Sequence, residues 1–251
     1  MKALLLLVVA CMCAGGVLRA ESASELFQKA AVLDRKLNAA AALALYQRAE
    51  KLESRNAEIL LGIARQYRHL MADASAPQDK LRLGGLALDY AKRAAALAPD
   101  NSEAQASIAL SYGKLLPLES TKEQIETSRR IKAAAERALQ LDRTNDIAWH
   151  VLGRWHEGYA ELTGVRRTLG EFLYGKLPVS THDAAAKCFR KALDANPHRL
   201  IHYIELGRTY AQMGRTAEAR QLIEQGLAMP DVDKEDPSEK QLGRETLATL
   251  H

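Results

Sequence analysis

The segment from residue 200 to residue 230 constrains the fold most, because it predicts two helices joined by a tight turn. Three large side chains recur at helical spacing and share one face of the first helix: Tyr203, Leu206 and Tyr210. The small residues Gly207 and Ala219 let the two helices approach closely, and Gly214 permits the turn between them. A single helix pair cannot bury its apolar face, so similar neighbours are expected along the chain.

The spacing of these residues resembles that of a tetratricopeptide repeat, a helical hairpin of about 34 residues. Matching units begin near residues 23, 57, 102, 146 and 200. A final helix is predicted over 236–250, where Asp236 and Pro237 give a start signal. Only 5% of the residues are aromatic, which favours helices over strands. We therefore predict an all-α fold over residues 21–251: a tetratricopeptide-like solenoid of helical hairpins, with long inserts in the middle repeats and a C-terminal capping helix.

The unit starts are separated by 34, 45, 44 and 54 residues, so the middle three units exceed the standard period. We place each surplus between the paired helices, where a serine with a polar or acidic residue three positions later predicts the start of the second helix. These pairs are Ser75 with Gln78, Ser120 with Glu123, and Ser180 with Asp183. In the longest insert, residues 165–174 predict a short additional helix, which Gly175 and Pro178 end.

The first twenty residues predict a leader that is separate from the fold. A lysine is followed by a long apolar run, and a cut after Ala20 gives a secretory signal peptide. Two alternatives remain open: cleavage and lipidation at Cys11, or retention of the run as a membrane anchor. The predicted location is therefore exported, periplasmic or secreted, with a membrane-anchored form as an alternative. Cys188 is the one cysteine outside this run, so no internal disulfide is expected in the mature chain.

Charge and motif content argue against several classes of function. The net charge of +4 includes Lys2 and Arg19; without them 33 basic residues face 31 acidic ones, which gives no indication of nucleic-acid binding. The sequence has no glycine-rich phosphate loop, no Gly-x-Ser-x-Gly elbow and no paired zinc motif. His198 and His202 are four residues apart, but Pro197 places His198 before the helix, so we interpret the pair as incidental. We expect no catalytic residues, no metal and no cofactor.

Three further motifs lie in the C-terminal half. They are Leu152-Gly153-Arg154-Trp155, then Phe172-Leu173-Tyr174-Gly175-Lys176-Leu177-Pro178-Val179-Ser180-Thr181, and Met229-Pro230-Asp231-Val232. In these motifs residues 145–245 resemble the regulators of microtubule dynamics. The resemblance implies a non-enzymatic adaptor: relatives associate with microtubules, and one has a repeat domain that binds and transfers phospholipids. It also implies a cytoplasmic or organelle-associated location as an alternative to export. Microtubules are expected as partners only if the leader does not export the chain.

Three units carry arginine at the ninth position of the first helix, where repeats of this kind face a concave groove. Arginine offers forked donors that match a carboxylate or a phosphate. The predicted groove site consists of Arg65, Arg68, Lys114, Arg154, Arg208, Ile147, Ile201 and Ile204. The three isoleucines would hold an apolar part of the ligand. The alternative is that the cations are solvated and paired with neighbouring acidic residues.

These features predict an adaptor that binds a protein or peptide segment, of acidic character, in its groove. The alternative is a phospholipid carrier, in which the insert over residues 155–180 covers an apolar cavity between the helices. We expect Trp155 to pack on Phe172 or Tyr174 of that insert. An enclosed apolar cavity would favour the lipid carrier, and a shallow open groove would favour the adaptor.

Overall fold

The computed structural model of the chain describes residues 21–250. Its helices are α1 (Ala23–Arg35), α2 (Ala39–Leu52), α3 (Ala57–Asp73), α4 (Pro77–Leu97), α5 (Ser102–Leu115), α6 (Thr121–Leu141), α7 (Asp146–Glu161), α8 (Gly164–Tyr174), α9 (His182–Ala195), α10 (Leu200–Gln212), α11 (Thr216–Ala228) and α12 (Asp236–Thr249). A short 3-10 helix, Leu116–Leu118, follows α5. The described residues contain no strand, which confirms the predicted all-α class. The predicted leader, residues 1–20, lies outside the described residues.

Five helix pairs follow one another in the chain. Their first helices are α1, α3, α5, α7 and α10, which begin at residues 23, 57, 102, 146 and 200. Asparagine side-chain oxygens accept first-turn backbone N–H groups at four helix starts, and these caps are Asn38, Asn56, Asn101 and Asn145. Apart from α8, each helix packs on the next, and α7 packs directly on α9. This order of contacts confirms the predicted solenoid of helical hairpins. The assignment of residues 21–251 to a single domain stays a prediction.

Only one of the three predicted caps starts the second helix of its unit. Ser120 and Glu123 form the predicted capping box at the start of α6. The prediction for Ser75 is wrong, because α4 begins with Pro77 at its first position and has no side-chain cap. The prediction for Ser180 is also wrong: Thr181 caps α9, and the Ser180 hydroxyl instead lies 2.6 Å from Nδ1 of His156.

The surplus residues of the middle units take two structural forms. In the second and third units they lengthen the helices, since α4 and α6 have 21 residues each. In the fourth unit they form α8, which confirms the predicted additional helix and ends at Gly175, a residue with φ 81°. Within residues 21–250 no helix combines the length and apolar character needed to cross a bilayer.

Glycine in the first helix of a unit lets the second helix approach closely. A Cβ added at Gly153 of α7 would lie 2.6 Å from the ring of Phe189 in α9. A Cβ at Gly207 of α10 would lie 2.6 Å from Ile223 in α11. Both partners are fully buried. Fully buried alanines line the other helix contacts, among them Ala30, Ala42, Ala64, Ala91, Ala109 and Ala138. The stack therefore depends on small residues in register.

The last helix, α12, packs against α10 and α11. A Cβ at Gly243 of α12 would lie 2.9 Å from Ile204 and 3.1 Å from Ile223, so the contact is close. The helix thereby covers the face of α10 that the repeat pattern assigns to the groove. Ile204 is fully buried there in a cluster with Leu200 and Ile223. The prediction that Ile204 lines an open groove is wrong, because the capping helix seals that position.

Candidate binding site

The side of the stack formed by α3, α5, α7 and α10 is called the concave face below, and its N-terminal half carries Arg65 and Arg68 of α3. The guanidinium of Arg65 lies 3.2 Å from a carboxylate oxygen of Asp34 in α1. Arg68 donates from Nη1 to the hydroxyls of Ser107, at 2.9 Å, and Ser111, at 3.2 Å. Burial, followed by the charge of Arg65, lowers the pKa of Arg68 to about 10. Both arginines lie on α3, and each is engaged by groups of the same chain.

A segment that sequence reasoning did not place on this face crosses it. Residues 230–235, which join α11 to α12, are called the acidic connector below. Its Glu235 forms an ion pair with Lys114 of α5. Its Lys234 pairs with Asp73 at the end of α3, with 2.9 Å between nitrogen and oxygen. The connector thus bridges the first helices of two successive units.

The middle of the connector is held in the same region. Asp233 lies 3.8 Å from Nε2 of His69 in α3 and 4.0 Å from the guanidinium of Arg199. Hydrogen bonds within the same segment fix the shape of the connector. A carboxylate oxygen of Asp236 accepts the backbone N–H of Val232 at 2.7 Å and of Asp233 at 2.8 Å. The connector is therefore a segment of defined shape whose carboxylates lie beside the cations Lys114 and Arg199.

The C-terminal half of the concave face carries the other two predicted arginines. Arg154 of α7 donates from Nη1 to Glu205 at 2.9 Å and to Glu157 at 3.1 Å. Arg208 of α10 donates to both oxygens of Glu205, at 3.0 and 3.1 Å. These contacts match the alternative interpretation, in which the cations are paired with neighbouring acidic residues. The pairs are only partly solvated, because Glu205 is 2% exposed.

Two carboxyl groups beside these arginines are close to their protonation midpoint at neutral pH. Burial raises the pKa of Glu157 and of Glu239 to about 7, and the negative charge of Glu205 is the next cause for both. As the pH falls through this value, both carboxyl groups lose their negative charge. The region therefore becomes more positive in mildly acidic solution.

A cavity of about 710 Å³ opens beside this cluster, between α5, α6, α7 and the insert that carries α8. Its apolar lining includes Leu110, Leu116, Ile125, Val151, Leu177 and Ile201. Its charged lining includes Lys114, Arg154, Arg208, Glu157, Glu205 and Glu239. Ile147 instead borders a smaller hollow of about 220 Å³ beneath the connector. Seven of the eight predicted site residues are thus divided between two hollows, with Lys114 common to both; Ile204 lines neither.

The insert lines the cavity with only some of its large side chains. Leu177 and Tyr174 line it, but Phe172 points away and is 84% exposed. Trp155 packs on Tyr159, with ring centroids 4.6 Å apart, and its indole N–H donates to the backbone oxygen and the hydroxyl of Ser128. Of the two predicted partners of Trp155, Phe172 is therefore wrong, and packing on Tyr174 stays a prediction.

Two buried histidines form a polar contact that sequence reasoning missed. His202 lies 3.0 Å from a carboxylate oxygen of Asp146 through Nε2, and its Nδ1 lies 3.3 Å from Nδ1 of His150. The contact joins α7 to α10, so the spacing of His198 and His202 gives no signal for it. Within residues 21–250 no group of three or more histidine, cysteine or acidic residues could hold a metal ion. Cys188 is buried, which raises the pKa of its thiol to about 11.

Comparison with solved structures supports the fold. The chain superposes on a thermophilic tetratricopeptide repeat protein from Thermus thermophilus with a TM-score of 0.65, covering 90% of this chain and 100% of that one. Because the two sequences are 19% identical, this likeness concerns the fold alone.

Comparison with curated sequences points to one family. Regulator of microtubule dynamics protein 1 of Mus musculus is 28% identical over 186 residues, which are 73% of this chain and 61% of that protein. Protein 2 of the same species is 24% identical over 184 residues, 73% of this chain and 45% of its own length. Protein 1 of Caenorhabditis elegans is 26% identical over 148 residues, 59% of this chain and 66% of that protein.

The chain therefore spans only about half to two thirds of the length of these relatives. The family model described as Regulator of microtubule dynamics protein 1-3 matches residues 20–251, nearly the whole sequence. On this match, the chain belongs to the regulator of microtubule dynamics family.

Proposed function

We propose that this chain is a non-enzymatic adaptor whose concave face binds an acidic segment of a protein partner. The observation that carries the proposal is the acidic connector, an acidic segment of the chain itself that already lies on this face. Lys114 pairs with its Glu235, and His69 and Arg199 lie beside its Asp233. The face therefore has the charge and shape to receive such a segment.

The ion pair between the connector and Lys114 is weak enough for a partner to replace it. Lys114 and Glu235 are 31% and 26% exposed, and ion pairs with this much solvent contact contribute about 1 kcal/mol or less. A partner that also places apolar side chains in the neighbouring cavity gains contacts that the connector does not make. The volume of about 710 Å³ lies within the range of ordinary ligand pockets.

A labelled peptide with the sequence of residues 229–239 tests the proposal by fluorescence anisotropy. The receptor is the full chain with Asp233→Asn and Glu235→Gln, which weaken the connector in its own site. We expect this variant to bind the peptide more tightly than the parent chain does. Adding Lys114→Glu should reduce the affinity by about tenfold, because an attraction becomes a repulsion.

The matched control is Lys51→Glu, an equal charge reversal on the exposed end of α2. Equal loss of binding in both charge-reversed variants would show only a general electrostatic effect and would reject the proposed site. Tubulin is a further protein to assay in the same format, since the names of the relatives refer to microtubule dynamics. Tubulin can be a partner only if residues 1–20 do not export the chain.

A second candidate function, the binding of a phospholipid, is supported by the cavity. Its lining combines apolar side chains with cations that include Arg154 and Arg208, a combination that suits an acyl chain with an anionic head group. Native mass spectrometry of the purified full chain should then detect a phospholipid adduct. Ile125→Trp, which fills the cavity, should remove the adduct, whereas Val32→Trp on the exposed face of α1 should keep it.

We also propose that residues 1–20 direct export. The same mass spectrum tests this, since cleavage after Ala20 or an acyl group on Cys11 gives a distinct mass. An intact leader on protein from the native cell envelope would contradict cleavage.

A further inference from the structure

The short helix α8 turns its apolar side to solvent. The exposed fractions are 83% for Val165, 54% for Leu169, 84% for Phe172 and 56% for Leu173, and Val179 just beyond the helix is 76% exposed. Residues 165, 169, 172 and 173 follow helical spacing, so these side chains form one continuous face. We call these five residues the α8 face. It holds half of the ten large hydrophobic side chains that are exposed among the described residues.

On the other side of α8, Arg167 is turned toward the protein and its side chain is 20% exposed. Arg167 donates to the backbone oxygens of Leu177, at 2.8 Å, and Pro178, at 3.0 Å, and it pairs with Glu171 at 3.0 Å. Leu177 is the buried apolar anchor of the insert and lies against Gly170. A surface helix normally directs its apolar stripe to the core and its charges to water. The reverse arrangement in α8 leaves an apolar face that needs an external partner.

The charges around the α8 face indicate what that partner is. Residues 164–179 contain three basic residues and one acidic residue. The acidic one, Glu171, is already paired with Arg167, whereas Arg166 and Lys176 are exposed. Phenylalanine and leucine on one side of a helix with flanking basic residues are typical of helices that lie in the interface of an anionic membrane.

We propose that the α8 face docks the protein on an anionic lipid surface. Phe172, Val165 and Leu169 enter the boundary between head groups and acyl chains, and Arg166 and Lys176 contact the lipid phosphates. The helix lies in the membrane plane and does not cross the bilayer. The proposal rests on the orientation and charge of α8 and is independent of whether the concave face binds an acidic segment.

The test places a fluorescent reporter on the α8 face of the full chain. Phe172→Trp is compared with Leu52→Trp, a control at a position that is 58% exposed on α2. Vesicles of phosphatidylcholine and phosphatidylserine with brominated acyl chains quench tryptophan only where it enters the bilayer. We expect quenching for Phe172→Trp beyond that of the parent chain, and no added quenching for Leu52→Trp. Because the reporter is local, the result holds whether or not residues 1–20 also bind membrane.

Two further measurements separate the electrostatic and the apolar contributions to membrane docking. Phosphatidylcholine vesicles without phosphatidylserine, or high salt, should reduce the quenching, as should Arg166→Glu with Lys176→Glu. Phe172→Ser should lower the vesicle affinity of the α8 face by about tenfold, measured as competition with the Phe172→Trp chain.

Three results would overturn the proposal. The first is equal quenching at positions 172 and 52, and the second is equal quenching on vesicles with and without phosphatidylserine. The third is a dimer of the parent chain, in light scattering without vesicles, that Phe172→Ser converts to a monomer. That outcome would assign the α8 face to a second copy of the chain. Since Phe172 and Leu52 are exposed, none of these substitutions removes a core contact.

Discussion

The close packing of the fourth helix pair leads to a sharp prediction about two glycines of α7. A Cβ at Gly153 would lie 2.6 to 2.8 Å from three ring atoms of Phe189, which is fully buried. A Cβ at Gly158 would have no neighbour within 4 Å. Gly153→Ala and Gly158→Ala therefore add the same methyl group to the same helix, once into a filled space and once into an open one.

The difference between the two variants isolates the cost of crowding. Alanine in place of glycine favours a helix interior by about 0.5–1 kcal/mol, and this gain is common to both. Overpacking a filled core costs about 1–3 kcal/mol, and it applies only at position 153. The free energies of unfolding should differ by that amount, with Gly158→Ala the more stable. For a chain of this size about 1 kcal/mol corresponds to 2–4 °C in Tm.

The assay is thermal unfolding followed by far-UV circular dichroism, with the parent chain alongside. We expect Gly158→Ala to melt slightly above the parent and Gly153→Ala to melt below Gly158→Ala by about 2 °C or more. A Tm of Gly153→Ala equal to or above that of Gly158→Ala would show that α7 and α9 do not approach as described. The reasoning about small residues in register would then fail for this unit.

Two further predictions concern pH and helix capping. Burial raises the pKa of Glu157 to about 7, from an ordinary 4.5, so its stabilising contribution is full below about 4.5 and is lost as the pH rises through about 7. Glu157→Gln should therefore raise Tm at pH 8 relative to the parent. It should also reduce the fall in Tm between about pH 4.5 and pH 7. A variant whose Tm depends on pH as the parent's does would contradict the raised pKa of Glu157. Ser120→Ala should cost about 1 kcal/mol, because it removes the α6 capping box, whereas Ser75→Ala should leave Tm unchanged. Equal effects of the two serine substitutions would contradict the helix starts given above.

The features that were predictable from sequence are those that local spacing determines. Repeat register follows from small and aromatic residues at fixed intervals, so the starts of α7 and α10 could be read directly. The capping box at Ser120 and the helix end at Gly175 are also local, since each depends on a few adjacent residues. Ser75 and Ser180 show the limit of such signals, because a nearby Pro77 or Thr181 starts the helix instead.

The features that were missed depend on contacts between distant parts of the chain. The path of the acidic connector is set by pairs such as Lys114 with Glu235, which no periodicity reveals. Ile204 has the groove-facing position of its repeat, but α12 covers it. Phe172 lies on an amphipathic helix, and the sequence gives the apolar stripe without showing whether it faces the core or solvent. The predicted cations lie on the first helices of their units, whereas their ion-pair partners could be identified only from the fold.

The most direct measurement of the role proposed for the concave face is a charge exchange between Lys114 and Glu235. Lys114→Glu, Glu235→Lys and the combined variant are compared by thermal unfolding, with the parent chain as reference. If the connector lies on this face, each single reversal places like charges together and lowers Tm, and the combined variant recovers most of the loss. Losses that simply add in the combined variant would mean that the two residues do not meet, and the connector would not occupy the face proposed to bind an acidic segment.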